Sequence, residues 1–277
     1  MVKIINDSIF KGIAGKRPTT KPTYFVLHND AGAMTPERYQ NWLQDRFDNG
    51  QSNLGFAHYY INRNAILRVE DTYNVSWACG DWRANQKTIS YEVCEQLTAS
   101  DQEFISNENM TLRQMAVDML FYGMAPTKDN IKFHKEFVST SCPARSLELH
   151  GGLENLRNYV IKQIEYYQSF GKLTVEELLE AENDTPKGEW KQDETGWWYV
   201  KPNGNYCKNE WQPIAGKWYY FDNSGYAYKD SWLHYCSNWY YFDSNCNLVT
   251  NNTIKINNKW YNFNLDGTLH SETLYYN

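Results

Sequence analysis

The feature that most restricts how this chain can fold is a repeat in its last third. Residues 217 to 225 read Lys-Trp-Tyr-Tyr-Phe-Asp-Asn-Ser-Gly, and residues 238 to 246 read Asn-Trp-Tyr-Tyr-Phe-Asp-Ser-Asn-Cys. Trp198-Tyr199 upstream and Trp260-Tyr261-Asn262-Phe263 downstream are further copies. Trp198, Trp218, Trp239 and Trp260 are spaced by 20, 21 and 21 residues, and a second register, Trp190, Trp211 and Trp232, runs at 21. A fixed period near 20 predicts stacked supersecondary units, each too small to bury its own apolar face. The aromatic run favours a strand. The turns Asp222-Asn223-Ser224-Gly225 and Asn264-Leu265-Asp266-Gly267 end in a glycine, which takes positive φ cheaply. Each unit is therefore expected to be a short β-hairpin, with the following Trp beginning the connection onward.

Several electron-rich rings converging at a seam between such units make a cage for a quaternary ammonium ion, because ring faces attract a weakly hydrated cation. Residues 189 to 270 resemble the choline-binding, cell-wall-binding repeats of Gram-positive murein hydrolases and surface proteins. The resemblance implies about four units and choline on teichoic or lipoteichoic acid as the ligand. Related repeats recognise carbohydrate instead, which is the alternative for this tail. Cages are expected around Trp211 with Trp218, Trp232 with Trp239, and Trp190 with Trp198, each closed by a tyrosine of the next hairpin. Cys246 replaces a turn glycine, Thr253 stands where a Trp is due, and Asn262 replaces a Tyr, so the fourth unit, holding Trp260, reads as a cap. A homodimer through the repeats is the expected self-association.

The net charge is −6, and most of the acidic excess lies in the tail, which argues against nucleic acid as a partner. Mean hydropathy is −0.72 and no 18-residue apolar run could insert in a membrane. The N-terminus, Met-Val-Lys-Ile-Ile-Asn-Asp, lacks the apolar core of a secretory signal, so synthesis in the cytoplasm and action at the wall after release are expected. Six cysteines, three in each half, are expected as free thiols, with one available as a metal ligand.

The first 170 residues alternate strand and helix patterns, which predicts an α/β domain with a mixed central sheet flanked by helices, followed by the all-β hairpin solenoid. Thr23–His28 reads as a strand, and Thr35-Pro36-Glu37 starts a helix whose apolar face is Tyr39, Trp42, Leu43 and Phe47. Phe56–Ile61, Ile66–Val69, Thr88–Cys94 and Ile131–His134 read as strands. Residues 111 to 122 and 153 to 167 carry helical spacing. The acidic stretch 171–188, closing on Pro186-Lys187-Gly188, reads as a linker with one helical turn or more before the repeats at 189–277.

His28 and His134 each follow a strand, and Cys142 comes eight residues after the second histidine. Two imidazoles and a thiolate are a zinc-type donor set that leaves a fourth position open. Around them the phrases Phe-Val-Leu-His-Asn, Leu-Gly-Phe-Ala-His-Tyr-Tyr-Ile, Thr-Ile-Ser-Tyr-Glu-Val-Cys and His…Cys-Pro come in order. Residues 20 to 165 thereby resemble the N-acetylmuramoyl-L-alanine amidases, the family that includes phage lysozyme-like amidases and peptidoglycan-recognition proteins. The resemblance implies zinc on His28, His134 and Cys142, and Glu92 as general base. Ala57 stands where the family often has a catalytic Tyr, Thr140 where many members have Lys, and Ala144 where Gly is usual. Thr140 is expected to donate to the oxyanion. His58 either lines the substrate groove or is a packed histidine. The function implied is cleavage of the amide between N-acetylmuramic acid and L-alanine of peptidoglycan, as in a phage endolysin. The rival is a recognition module that binds wall without cutting it.

Overall fold

The computed structural model describes residues 2–184, 188–214, 217–264 and 266–273. The chain divides into two compact units, the first ending at Asn183 and the second running from Asp184, with Leu149–Gly151 grouped with the second. Among the described residues no helix is long and apolar enough to cross a membrane.

The first unit is built on six strands: β1 (Lys3–Asn6), β2 (Tyr24–Asn29), β3 (Tyr59–Ile61), β4 (Ala65–Arg68), β5 (Thr88–Val93) and β6 (Ile131–Phe133). Their order across the sheet is β1-β4-β3-β5-β2-β6. Only the β3–β4 hairpin is antiparallel; every other neighbouring pair is parallel. Parallel strands in mid-sheet are covered on both faces and read as continuous apolar runs. β2 fits that rule, with Phe25 through Asn29 all buried.

Among the described residues six α-helices accompany the sheet: α1 (Pro36–Asp48), α2 (Trp82–Asn85), α3 (Asp101–Phe121), α4 (Ala144–Leu149), α5 (Leu153–Gln168) and α6 (Val175–Asp184). α1 begins with Pro36 as its first residue, as expected. Its buried residues are Pro36, Tyr39, Leu43 and Arg46, whereas Trp42 is 43% exposed, so the inward stripe is turned from the one the apolar residues suggested. α3 starts ten residues before the expected 111. Ser100 Oγ accepts the Glu103 N–H and the Glu103 carboxylate accepts the Ser100 N–H, a capping box that satisfies two end donors at once. The polar first turns survive because Asn107 is buried and its side-chain amide donates to the Cys94 carbonyl at 3.0 Å.

The segment expected as a linker is helical over α6. Val175 and Leu178 are buried, and Glu182 forms a two-point ion pair with Arg113 of α3 at 2.7 and 3.0 Å. These anchors all lie within the first unit. Pro186 and Lys187 of the same stretch fall outside the described residues.

The second unit holds four hairpins: β7 (Glu189–Gln192) with β8 (Trp197–Val200), β9 (Glu210–Ile214) with β10 (Lys217–Phe221), β11 (Ser231–Tyr235) with β12 (Asn238–Phe242), and β13 (Asn252–Ile256) with β14 (Lys259–Phe263). β15 (Leu269–Thr273) adds a third strand to the last. The Trp expected to begin a connection is instead inside the first strand of each of the first three hairpins, with Thr253 in that place in the fourth. The hairpin tips are Cys236-Ser237 and Asn257-Asn258, with both residues of each pair at positive φ, as a two-residue turn of that handedness requires. The Asp222–Gly225 and Asp243–Cys246 turns link one hairpin to the next. Asp222 Oδ1 accepts the N–H groups of Ser224 and Tyr226, and Asp243 Oδ1 those of Asn245 and Asn247. Cys246 takes the glycine's place at φ +63°. Leu265 of the following turn lies outside the described residues.

The stacking repeats at a uniform step of 21. Trp190, Trp211 and Trp232 pack on Tyr199, Tyr220 and Tyr241 of their own hairpins at 5.2 to 5.3 Å between ring centroids. Each also packs on the next hairpin, at Tyr219 and Phe221, Tyr240 and Phe242, and Tyr261 and Phe263 respectively, 4.8 to 5.7 Å away. Register corrects one member of the first series. Trp197, not Trp198, occupies the place of Trp218, Trp239 and Trp260, each lying two residues before the partner of the first-strand Trp or, in the last hairpin, of Thr253. Trp198 stands where later hairpins have Tyr219, Tyr240 and Tyr261, and its ring meets Tyr226 at 6.0 Å.

Candidate metal centre and its cleft

Three parallel strands deliver the site to one edge of the first sheet. His28 is the penultimate residue of β2, Glu92 sits opposite it in register on β5, and His134 follows the end of β6. The carboxyl ends of parallel strands are where open α/β sheets place their ligands. Cys142 arrives on the loop before α4. Asn29 fixes that loop against β2: its side-chain amide donates to Ser146 Oγ at 2.9 Å, and its Oδ1 accepts the Ser146 N–H at 3.0 Å.

The His28, His134 and Cys142 donor atoms all lie within 4.8 Å of one another. His28 Nδ1 is 3.9 Å from Cys142 Sγ and 3.9 Å from Glu92 Oε1. The two imidazoles face each other with centroids 4.7 Å apart. Burial first, and the neighbouring His134 second, hold the His28 pKa well below its usual value. Burial also lowers that of His134, opposed by its hydrogen bond to the Cys79 backbone. Both rings are thus kept neutral, the form that ligates metal. His28 Nε2, His134 Nε2 and Glu92 Oε2 are buried without a hydrogen-bond partner. Buried polar atoms are normally satisfied, so three orphaned atoms on residues grouped around one site mark a place built for something else. Burial first and the Glu92 charge second push the Cys142 thiol pKa up, and the Asn29 N–H donating to Sγ at 3.4 Å opposes them; a bound cation would favour the thiolate further. These residues fit a tetrahedral, borderline-soft cation.

Glu92 has its pKa raised to about 8, by burial and then by the charge of Asp30. A cation held beside it opposes both causes. Thr140 Oγ1 accepts the Cys142 N–H at 3.2 Å, which leaves its own proton free to donate. His58 is not brought to the cleft. It is fully buried, its Nδ1 accepts the Ser90 N–H at 3.1 Å, and its Nε2 lies 3.2 Å from the Asn74 carbonyl. Of the two roles weighed for His58, its surroundings describe the packed one.

Beside the donors lies a cavity of about 230 Å³ lined by Asp30, Tyr39, Arg46, Ala57, Tyr60 and Glu92, with Trp42 and Trp77 at its walls. Sequence reasoning missed Asp30, Arg46 and Trp77. Arg46 carried a usable signal, since it follows Tyr39 and Leu43 at helical spacing and breaks an apolar stripe.

Comparison with known proteins places residues 18–145 in the N-acetylmuramoyl-L-alanine amidase family and matches residues 208–252 to the choline-binding repeat. Over residues 18–145 the front unit is similar to that amidase family. The match takes in His28, Glu92, His134, Thr140 and Cys142, while the repeat match takes in Trp211, Trp218, Trp232 and Trp239 but not Trp190, Trp198 or Trp260. The chain is homologous to staphylococcal phage endolysins. It is 34% identical over 230 residues to endolysin 2638A of Staphylococcus phage 2638A, covering 74% of this chain and 47% of that protein. With endolysin PlyTW of Staphylococcus phage Twort it shares 32% over 199 residues, 68% of this chain and 42% of that one. The chain thus spans less than half the length of the curated relatives it matches. Among solved structures, the multimodular pneumococcal endolysin from phage Cp-1 complexed with choline is 38% identical over 31% of this chain and 26% of that one, with a TM-score of 0.29.

Proposed function

We propose that the chain is a modular peptidoglycan hydrolase of the endolysin type, in which the amidase-family domain cleaves the amide between N-acetylmuramic acid and L-alanine and the repeats hold wall choline. The observation that carries the first half is the His28, His134 and Cys142 donor set, with His28 buried and the other two half-buried, and Glu92 3.9 Å from His28. Zinc bound there supplies Lewis acidity and a water acidified to near neutral pKa. Glu92 takes a proton from water through its unpartnered Oε2 and returns it to the leaving amine. The Thr140 hydroxyl donates to the carbonyl oxygen as charge develops on it. We assign catalysis to the first unit through α6 and wall binding to the second. Wall digestion should release new N-terminal alanine, stop with a strong chelator, and resume when zinc is restored. Undiminished release by a metal-free Cys142→Ala protein would sink this reading.

For the tail, the ligand we infer is choline on teichoic or lipoteichoic acid. Register repeats one ring set at three seams: Trp190, Trp197 and Tyr219; Trp211, Trp218 and Tyr240; Trp232, Trp239 and Tyr261. In the third, Trp232 lies 6.2 Å from Trp239 and 4.9 Å from Tyr261. Trp239 keeps 47% of its surface exposed, which leaves a ring face to meet a cation. Each cation–π contact contributes about 0.5 to 2 kcal/mol, so free choline should displace the chain from walls at millimolar concentration. Trp239→Ala should weaken retention while cleavage of a small soluble muropeptide stays within twofold. Displacement by a glucan and not by choline would move the tail to carbohydrate. Light scattering during the same titration reads whether the repeats pair two copies.

A further inference from the structure

Arg46 is a buried cation without a counter-ion. It ends the inward stripe of α1 and is 7% exposed. Its Nη2 donates to the Gln51 carbonyl at 3.1 Å, and its guanidinium lies 4.6 Å over the Trp42 ring. Its Nε is buried with no hydrogen-bond partner. No carboxylate among the described residues pairs with it. Desolvation lowers its pKa, as expected of a charge lacking a partner. An apolar residue at that stripe position would be more stable, and such local violations gather where a protein binds something.

The same side chain lines the cavity that reaches Glu92. Trp42, Phe56 and Trp77 give it apolar walls. Gly55 closes one wall at φ +94°, where a Cβ would meet the Trp77 carbonyl at 2.8 Å. Asp30 also lines the cavity, but its oxygens are committed. Oδ1 accepts the Gly32 and Gln96 N–H groups at 3.0 and 3.1 Å, and Oδ2 accepts the Tyr39 hydroxyl at 3.0 Å and the Glu95 N–H at 3.1 Å. Arg46 is therefore the group left to receive an anion. A single guanidinium matches one planar carboxylate. At about 230 Å³ the space is below the usual ligand-pocket range and suits one amino-acid residue better than a disaccharide.

We propose that this cavity is a carboxylate subsite, in which Arg46 binds an acidic residue of the wall peptide close to the amide presented to Glu92. It rests on the amidase reading above, and binding separates the two. The probes are two synthetic muramoyl peptides differing only in a carboxylate or a carboxamide on the residue after alanine. They are titrated into the zinc-loaded full chain carrying Glu92→Gln, which holds them uncut. The acid should bind about tenfold more tightly than the amide, because a hydrogen bond to a charged group is the stronger kind. Added salt should erode that preference, and Arg46→Gln should abolish it without changing the affinity for the amide. Arg46→Lys should keep part of it, and a melting temperature matching the parent reports that each variant is folded. Equal binding of acid and amide overturns the subsite, as does a preference that survives Arg46→Gln or ignores salt. If the parent cuts neither peptide yet prefers the acid, the amidase reading fails and the subsite stands.

Discussion

Glu92→Gln should turn over about 10²- to 10⁴-fold more slowly than the parent, with zinc content and melting temperature unchanged. The substitution is isosteric, so the packing that buries the side chain beside Tyr60 on the sheet is kept. Glu92 is not one of the three clustered donors, so the metal should remain. What is lost is the proton acceptor. The amide NH₂ still donates but cannot take a proton from water at neutral pH. Single-turnover hydrolysis of a soluble muropeptide, with metal analysis on the same sample, separates the outcomes. A rate within a few-fold of the parent would remove Glu92 as base and direct attention to Thr140.

Trp211→Ala should cost the repeat unit about 3 to 5 kcal/mol, the usual loss for a large aromatic cut back to alanine in a packed site. Its ring meets Tyr220 in its own hairpin and Tyr235, Tyr240 and Phe242 in the next. A hairpin cannot bury its face alone, so a broken seam uncouples the units on either side. Trp239→Ala, at the half-exposed position, should cost about 1 kcal/mol or less. Denaturation of the full chain, followed by tryptophan fluorescence, should show the transition of the repeats moved far down for Trp211→Ala and hardly at all for Trp239→Ala. Coincident curves for the two variants would deny the seam its energetic role.

Much of this was legible in the sequence because it depends on period. The two tryptophan registers gave the stacked hairpins, and strand–helix alternation gave the mixed sheet. The zinc-type donors were found by residue type and spacing, and the sheet explains why spacing sufficed: His28, Glu92 and His134 all leave parallel strands at the same edge. Misreadings came where tertiary contacts override local pattern. α3 starts at a capping box that was readable as Ser100-x-x-Glu103, but its first turns are too polar to look helical without their partners in β-strand loops. α6 is acidic and reads as a linker with a helical turn or more; Arg113, 69 residues before Glu182, anchors it as a full helix. Trp197 and Trp198 are adjacent, and only strand register tells which one faces the seam. His58 could be placed only by burial, since a histidine satisfied on both nitrogens and one open to a groove look alike in a string of letters.

The constant step of the seams has a bearing on how such a tail changes over generations. The repeated tryptophan contacts across the seams link residues a fixed distance apart, from Trp190 with Tyr219 to Trp232 with Tyr261. A tandem gain or loss of 21 residues, wherever its breakpoints fall between Trp190 and Phe263, restores the same partners on each side. Recombination can therefore lengthen or shorten the array in frame without inventing a new surface. On the proposed wall-binding role, grip then becomes a matter of copy number, open to adjustment in whole steps when a host alters how densely it decorates its polymers.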